Sequence, residues 1–168
     1  MWPSFALEIG GMTAEEMGNA LDREKINVAP YARSMLRNKE KFVNPVNKRE
    51  KERKGETEIL DLVRLRVRDL GFTSRPPTTT ELFARAKEFG LDLCPPETGP
   101  FLRLADKDQS LGWCYIGMEP VTDSDGFPDV FSLARYGGEL WLRSIWADPD
   151  YQWDLGIQFV FRVRKSDA

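Results

Sequence analysis

The segment Trp146-Ala-Asp-Pro-Asp-Tyr-Gln-Trp153 combines aromatic rings with carboxylates in one short stretch. Trp and Tyr are enriched at the energetic centres of protein interfaces, and carboxylates accept hydrogen bonds from sugar hydroxyl groups. The pattern therefore predicts a binding loop for an unidentified protein or glycan partner. Its candidate ligand-binding residues are Trp146, Asp148, Asp150, Tyr151 and Trp153. The alternative is that Trp146 and Trp153 only close the hydrophobic core.

A second group of carboxylates, Asp123, Asp125 and Asp129, flanks Gly126. Oxygen ligands at alternate positions before a glycine are typical of calcium loops. The match is incomplete, because the third acidic position before the glycine and the distant bidentate glutamate are both missing. Asp-Gly is also a strong hairpin signal, so the segment equally predicts a polar turn between two strands. We assign no metal and no cofactor, and keep the three aspartates as the only metal candidates.

The chain contains no histidine, which narrows the chemistry open to it. Histidine is the usual general base near neutral pH, the activator of Ser and Cys nucleophiles, and the commonest zinc ligand. The composition therefore favours a non-enzymatic binding or interaction protein. An enzyme that uses Asp or Glu for acid–base chemistry is an alternative, with Asp148, Asp150 and Asp154 as one acidic cluster. The two cysteines, Cys94 and Cys114, are too few for a disulfide scaffold, so we expect both to be reduced and buried.

Basic residues concentrate in the stretch 33–54, which carries a net charge of +6, whereas residues 95–168 carry −5. A run of this kind is typical of a solvated linker, which we place at 38–57. The alternative is a nucleic-acid-binding arm that contacts phosphate groups. The residues that would make those contacts are Lys48, Arg49, Lys51, Arg53 and Lys54. Arg64, Arg66 and Arg68 alternate with apolar residues and predict the wet face of a strand or, alternatively, a phosphate platform.

The elements that would position these residues form an α+β fold, with an antiparallel β-meander sheet of five to seven strands and two or three packed helices. Four alternating runs separated by turn residues predict the meander. They are GWCYIGME, DVFSLARY, ELWLRSIW and IQFVFRVR. Both faces of the strand at 113–118 are apolar, which predicts a central strand covered on both sides.

Capping boxes at Thr13 and Thr78 predict helices over 14–24 and 79–89, and Pro30 predicts a short helix over 30–37. Phe89 is expected to face inward at the end of the helix over 79–89. MWPSFALEI reads as an N-terminal strand, and PFLRLA, residues 100–105, is expected to enter the sheet.

We divide the 168 residues into an N-terminal strand and helix pair (1–37), a basic flexible linker (38–57) and a main α+β domain (58–168). No apolar run is long enough to span a bilayer. The N-terminus also lacks the charged and apolar regions of a secretory signal. These features predict a cytoplasmic protein without membrane contact.

Several blocks resemble a recurrent pattern of short uncharacterised bacterial proteins. The blocks are Gly90-Leu-Asp-Leu-Cys-Pro95, Gly99-Pro-Phe-Leu-Arg-Leu104, Met118-Glu-Pro120 with Thr122-Asp-Ser-Asp-Gly126, and Leu140-Trp-Leu142. The resemblance covers residues 59–164. It implies a recurring bacterial domain, and it implies no activity, cofactor or catalytic residue.

Overall fold

The computed structural model describes residues 2–38, 57–109 and 112–165, which form a strongly curled sheet with helices packed on it. The strands are β1 (Ser4–Gly10), β2 (Asn27–Val28), β3 (Thr57–Arg66), β4 (Leu91–Asp92), β5 (Gly112–Ile116), β6 (Val121–Thr122), β7 (Pro128–Tyr136), β8 (Glu139–Trp146) and β9 (Gln158–Val163). The α-helices are α1 (Ala14–Arg23), α2 (Pro30–Leu36), α3 (Thr79–Glu88) and α4 (Thr98–Ala105). The α+β class is confirmed, although these ranges hold more strands and more helices than predicted.

The sheet is mixed, which corrects the prediction of an antiparallel meander. Its order is β1-β3-β9-β5-β7-β8-β2, with β4 beside β9 and β6 beside β7. The pairs β5–β7 and β7–β8 are antiparallel, as predicted. β9, however, does not pair with β8 but inserts between β3 and β5. The segment 147–157 carries the chain across the sheet, so β9 runs parallel to β5.

The N-terminal segment occupies both edges of this sheet. β1 is antiparallel to β3 at one edge, and β2 is parallel to β8 at the other. Residues 2–37 therefore share one sheet and one hydrophobic core with the described residues from 57 onward. Residues 39–56, which make up nearly all of the predicted linker, lie outside the described residues.

The helix starts follow from local side-chain chemistry. Thr13 and Thr78 each accept a hydrogen bond from the amide of the glutamate three residues later, and both predicted capping boxes are confirmed. Pro30 occupies the first turn of α2, where its missing N–H has no partner to lose. Phe89 caps the end of α3 through its backbone N–H, and its side chain is exposed, which corrects its predicted inward position. None of the helices in the described ranges combines the length and apolar character needed to cross a bilayer.

Residues 98–105 form helix α4, which corrects the prediction that 100–105 enters the sheet. Leu102 and Leu104 flank Arg103 as in a strand with one apolar face, but the buried residues Thr98, Leu102 and Arg103 have a helical spacing. Pro100 is tolerated because it lies in the first turn. The curled sheet wraps around α4, which packs against β1 as well as β7 and β8.

The two faces of the sheet are covered differently. On the concave face, Leu7, Leu62 and Leu133 point toward the side occupied by α4. On the convex face, Phe83 of α3 packs edge-on against Phe159 and Phe161. The α3 helix covers only the β3–β9 part of the convex face, so the β7–β8 part depends on other residues for cover.

Cys94 and Cys114 are free thiols buried in the core, as predicted. Burial raises the pKa of both thiols, to about 11 for Cys114. A thiol with so high a pKa holds little thiolate near neutral pH, and the thiolate is the nucleophile. Neither cysteine is therefore suited to nucleophilic chemistry.

Gly117 lies against the ring of Phe161 just after β5. A Cβ atom at Gly117 would lie less than 3 Å from atoms of this fully buried ring. We expect Gly117→Ala to lower the free energy of unfolding by about 1–3 kcal/mol, the usual cost of overpacking a core. Gly18→Ala is the matched control, because a Cβ there meets nothing closer than 3.6 Å. Because Gly18 lies within α1, Gly18→Ala should leave the free energy of unfolding unchanged or raise it by about 0.5–1 kcal/mol. If urea denaturation showed the same loss of stability in both variants, the packing argument would be wrong.

Candidate functional site

Three aromatic rings stack across strands β5, β7 and β8 on the convex face. The register places Trp113, Ala134 and Trp141 in one row, with the small Ala134 in the middle. The ring of Tyr136 fills the space above Ala134 and stacks on both neighbours. Its centroid is 5.5 Å from that of Trp113 and 5.3 Å from that of Trp141. Trp113, Tyr136, Trp141 and Arg143 together are called the aromatic cluster below.

Arg143 is held against this stack by three contacts. Its guanidinium carbon lies 5.5 Å from the ring centre of Trp113 and 5.4 Å from that of Trp141. Its Nη1 donates a hydrogen bond of 2.6 Å to the hydroxyl oxygen of Tyr136. Within the described ranges, no carboxylate lies within ion-pair distance of Arg143. The guanidinium is therefore oriented by rings and a hydroxyl, and its remaining N–H groups are available to an acidic group from outside.

On the convex face of β5, the boundary between packed and exposed rings lies between Tyr115 and Trp113, the first residue of the aromatic cluster. Tyr115, next to Trp113 on the same face of β5, packs against the buried rings of Trp153 and Phe159. Trp113 itself is 46% exposed, and this corrects the prediction that both faces of 113–118 are covered. Burial raises the pKa of the Tyr115 hydroxyl, so this ring stays neutral at physiological pH. The sheet thus presents a band of rings that runs from the core to the surface.

Arg103 supports the aromatic cluster from the concave side of the sheet. It is fully buried, and its guanidinium donates to the side-chain oxygen of Gln109 at 2.6 Å. It also donates to the carbonyl oxygen of Ala134 at 3.2 Å, within the row that carries Trp113 and Trp141. Burial lowers the pKa of this guanidinium from its usual value, although arginine remains charged at physiological pH. This bonding fixes the backbone beneath the rings.

The loop 146–153 does not form one surface. Trp153 is fully buried, whereas Tyr151 is 36% and Trp146 is 48% exposed. Tyr151 packs against Trp153 near the end of the loop. Trp146, at the start of the loop, packs instead against Phe127 of the hairpin 121–129. Asp148 accepts a hydrogen bond from the amide of Asp150, which makes a turn and not a pair of converging carboxylates. The predicted aromatic residues are thus divided between the core and two parts of the surface.

The acidic hairpin 121–129 has a structural arrangement of its own. Asp123 Oδ1 accepts hydrogen bonds from the amides of Asp125 and Phe127, which closes the predicted turn. Asp129 accepts a hydrogen bond from the Ser144 hydroxyl. In the described part of the chain, no group of three or more potential ligands could hold a metal ion together, and this includes Asp123, Asp125 and Asp129.

Asp123 and Asp129 form a buried carboxyl pair beneath this hairpin. Burial, followed by the hydrogen bond to Asp123, raises the pKa of Asp129 to about 7. The physical cause is that two adjacent carboxylates cannot both ionise cheaply away from water. Below about pH 7 the Asp129 carboxyl group is therefore mostly protonated.

The predicted basic sites have different outcomes. Lys48, Arg49, Lys51, Arg53 and Lys54 lie outside the described residues. Arg64 forms an ion pair of 3.2 Å with Asp106. Arg66 and Arg68 donate to the carbonyl oxygens of the loop before β9, and Arg68 lies in a 3₁₀ turn and not in the strand. The three arginines thus bond to neighbouring elements, and these contacts give no support to the alternative of a phosphate platform.

Sequence reasoning did not identify the aromatic cluster. The available signal was the alternation in ELWLRSIW, in which Trp141 and Arg143 share a face opposite Leu142. Only the strand register shows that Trp113 and Tyr136 lie beside them. Comparisons of the chain with models of protein families, with curated proteins and with solved structures found no match. Function therefore has to be inferred from the chemistry of the site.

Proposed function

We propose that this chain is a non-enzymatic binding protein that recognises a partner protein through the aromatic cluster. The observation that carries the proposal is the stack of Trp113, Tyr136 and Trp141 with Arg143 fixed over it, in which Trp113 is exposed and the other residues are half-buried. Trp, Tyr and Arg are the residues most enriched at the energetic centres of protein interfaces. Mutual stacking holds the rings rigid, which reduces the entropy lost when a partner binds.

The arrangement of the rings favours a protein over a sugar or a nucleic-acid base. Both faces of Tyr136 are occupied by its tryptophan neighbours, so ring edges make up much of the exposed surface. Bases bind aromatic platforms by stacking on open ring faces. Residues 95–168 also carry a net charge of −5, which repels a phosphate backbone. A protein surface can pack against ring edges through apolar side chains.

Arg143 indicates what the partner contributes at this surface. Its guanidinium is partly desolvated by two rings and has no carboxylate partner in the described ranges. A planar guanidinium binds carboxylates through two parallel hydrogen bonds. We therefore expect the partner to place an Asp, a Glu or a C-terminal carboxylate over Arg143, surrounded by apolar side chains.

Trp113→Ala is expected to weaken partner binding by about 30-fold or more, the minimum loss at an interface hot spot. The partner is first captured from extract of the source cells with the wild-type chain, and its affinity for each purified variant is then measured by calorimetry. Because Trp113 is half exposed, the thermal midpoint should change little. Arg143→Lys keeps the charge but loses the planar fork, so it should also weaken binding.

Trp146→Ala is the matched control for this experiment, because it removes a ring of similar exposure from the opposite face of β8. It should leave the affinity for this partner unchanged. Equal capture and equal affinity for wild type and Trp113→Ala would show that the aromatic cluster is not the binding surface.

A further inference from the structure

A second surface, separate from the aromatic cluster, combines three exposed rings with carboxylates. Tyr31 of α2 is 45% exposed, Phe127 of the acidic hairpin 50%, and Trp146 at the end of β8 48%. Phe127 and Trp146 meet edge to face, with their ring centres 5.6 Å apart. The Tyr31 hydroxyl donates a hydrogen bond to Asp125, two residues before Phe127. These four residues are called the acidic patch below.

The backbone that carries the acidic patch is tied down on several sides. The amide of Ser124 donates to the hydroxyl of Ser34 in α2 at 3.0 Å. The side-chain amide of Asn38 donates to the carbonyl oxygen of Thr122 at 3.0 Å. The amide of Ala147 donates to the carbonyl oxygen of Pro128 at 2.8 Å, which joins the base of Trp146 to that of Phe127. The rings are therefore held in place before any ligand arrives.

The chain segments on either side of Phe127 and Trp146 carry charge of one sign. The segments that carry Phe127 and Trp146, residues 119–134 and 144–161, contain no Lys or Arg. Both segments contain carboxylates, which include Asp123 and Asp129 in the first and Asp148 and Asp150 in the second. Arg33 of α2 and Arg37, the residue that ends α2, line a groove together with Asp123 and Ser124 of the hairpin, and Arg33 is paired with Asp22 at 2.8 Å. Aromatic ring faces carry negative electrostatic potential, which adds to that of the carboxylates.

We propose that the acidic patch binds a lysine or arginine side chain of a basic polypeptide. A cation over Trp146 gains a cation–π interaction, which is strongest for tryptophan among the aromatic residues. Within the described part of the chain, the Asp125 carboxylate accepts one hydrogen bond, from Tyr31, so it can accept more from an ammonium or guanidinium group. This surface goes beyond the proposed function, because it faces away from the aromatic cluster and selects the opposite charge.

The test uses a decalysine peptide as the probe and a fully ε-acetylated decalysine as the uncharged control. Binding is followed by the chemical shift of the Trp146 indole N–H and by calorimetry at 50 mM and 300 mM salt. We expect saturable binding of decalysine that shifts the Trp146 signal and not the Trp113 signal. The acetylated peptide should bind at least 10-fold more weakly, and high salt should weaken binding of the charged peptide.

Variants of the chain separate a defined site from general attraction to an acidic protein. Trp146→Ala and Asp125→Asn should each weaken decalysine binding by about 5-fold or more, and an asparagine oxygen can still accept the hydrogen bond of Tyr31. Asp61→Asn is the charge-matched control, because Asp61 is exposed on β3 and takes part in no described ion pair. It should leave the affinity within 2-fold of wild type.

Three results would overturn the proposal. They are the absence of a shift at Trp146, equal binding of the acetylated peptide, and equal losses in Asp61→Asn and Asp125→Asn. None of these results bears on the aromatic cluster, whose own variant Trp113→Ala should bind decalysine like wild type.

Discussion

Trp153→Ala is expected to lower the free energy of unfolding by about 3–5 kcal/mol, the range measured for large buried aromatic residues cut to alanine. Trp153 is fully buried, and its ring packs edge to face on Phe159 with a centroid distance of 4.9 Å. Its indole N–H donates to the hydroxyl of Thr79 at 2.8 Å, and its amide donates to the carbonyl oxygen of Pro77. The truncation would therefore leave a cavity and also remove the side-chain hydrogen bond to the start of α3.

Trp153→Phe serves as the control, because it keeps an aromatic ring in the core but loses the indole donor. Its loss should be smaller, about 1–3 kcal/mol, from the hydrogen bond and a smaller cavity. Chemical denaturation followed by far-ultraviolet circular dichroism measures both variants without relying on tryptophan fluorescence. A loss below 1 kcal/mol in Trp153→Ala would mean that the loop is not anchored in the core in solution.

Local chemistry made several elements predictable from the sequence. Thr13 and Thr78 start helices because each is followed three residues later by a glutamate that completes a capping box. Pro30 fixes the start of α2 in the same local way. The runs that became β5, β7 and β8 were recognisable because alternation over five to nine residues needs no knowledge of distant partners.

Strand order was not predictable, because it depends on contacts between distant residues. The segment 147–157 contains turn residues that fit a return beside β8 as well as a crossing of the sheet. What decides between them is Trp153, which enters the core beside Phe159 and Tyr115 and so draws the chain toward β5. The packing of Trp153 against Phe159 and Tyr115 also explains why the residues of the predicted binding loop do not form one surface. It buries Trp153 on the convex side of the sheet, whereas Trp146 lies on the opposite face of β8.

Helix α4 was missed because the sequence FLRLA suits a strand, with Leu102 and Leu104 on one face. In the fold the segment lies inside the curled sheet and is in contact on several sides. Arg103 is buried there with acceptors for both terminal nitrogens of its guanidinium, which are the side-chain oxygen of Gln109 and backbone carbonyl oxygens. A buried arginine of this kind cannot be recognised from sequence, because its acceptors are brought together only by the fold.

Asp129→Asn is expected to stabilise the protein above neutral pH and to leave its stability near pH 4 almost unchanged. The folded-state pKa of Asp129 is raised from 3.8 to about 7 by burial and by Asp123. Between these values the folded chain binds one more proton than the unfolded chain, so the free energy of unfolding falls as pH rises through this window. One pKa unit corresponds to about 1.4 kcal/mol, so the loss by pH 8 is on the order of 2–4 kcal/mol.

Asparagine at position 129 reproduces the protonated carboxyl group, because its amide N–H groups can donate to Asp123 while its oxygen accepts from Ser144. The variant should therefore keep the low-pH stability of wild type across pH 4–8.5. Urea denaturation at half-unit pH steps measures the slope, with Asp125→Asn as the control that retains the carboxyl pair. An unchanged slope in Asp129→Asn would show that Asp129 is ionised throughout.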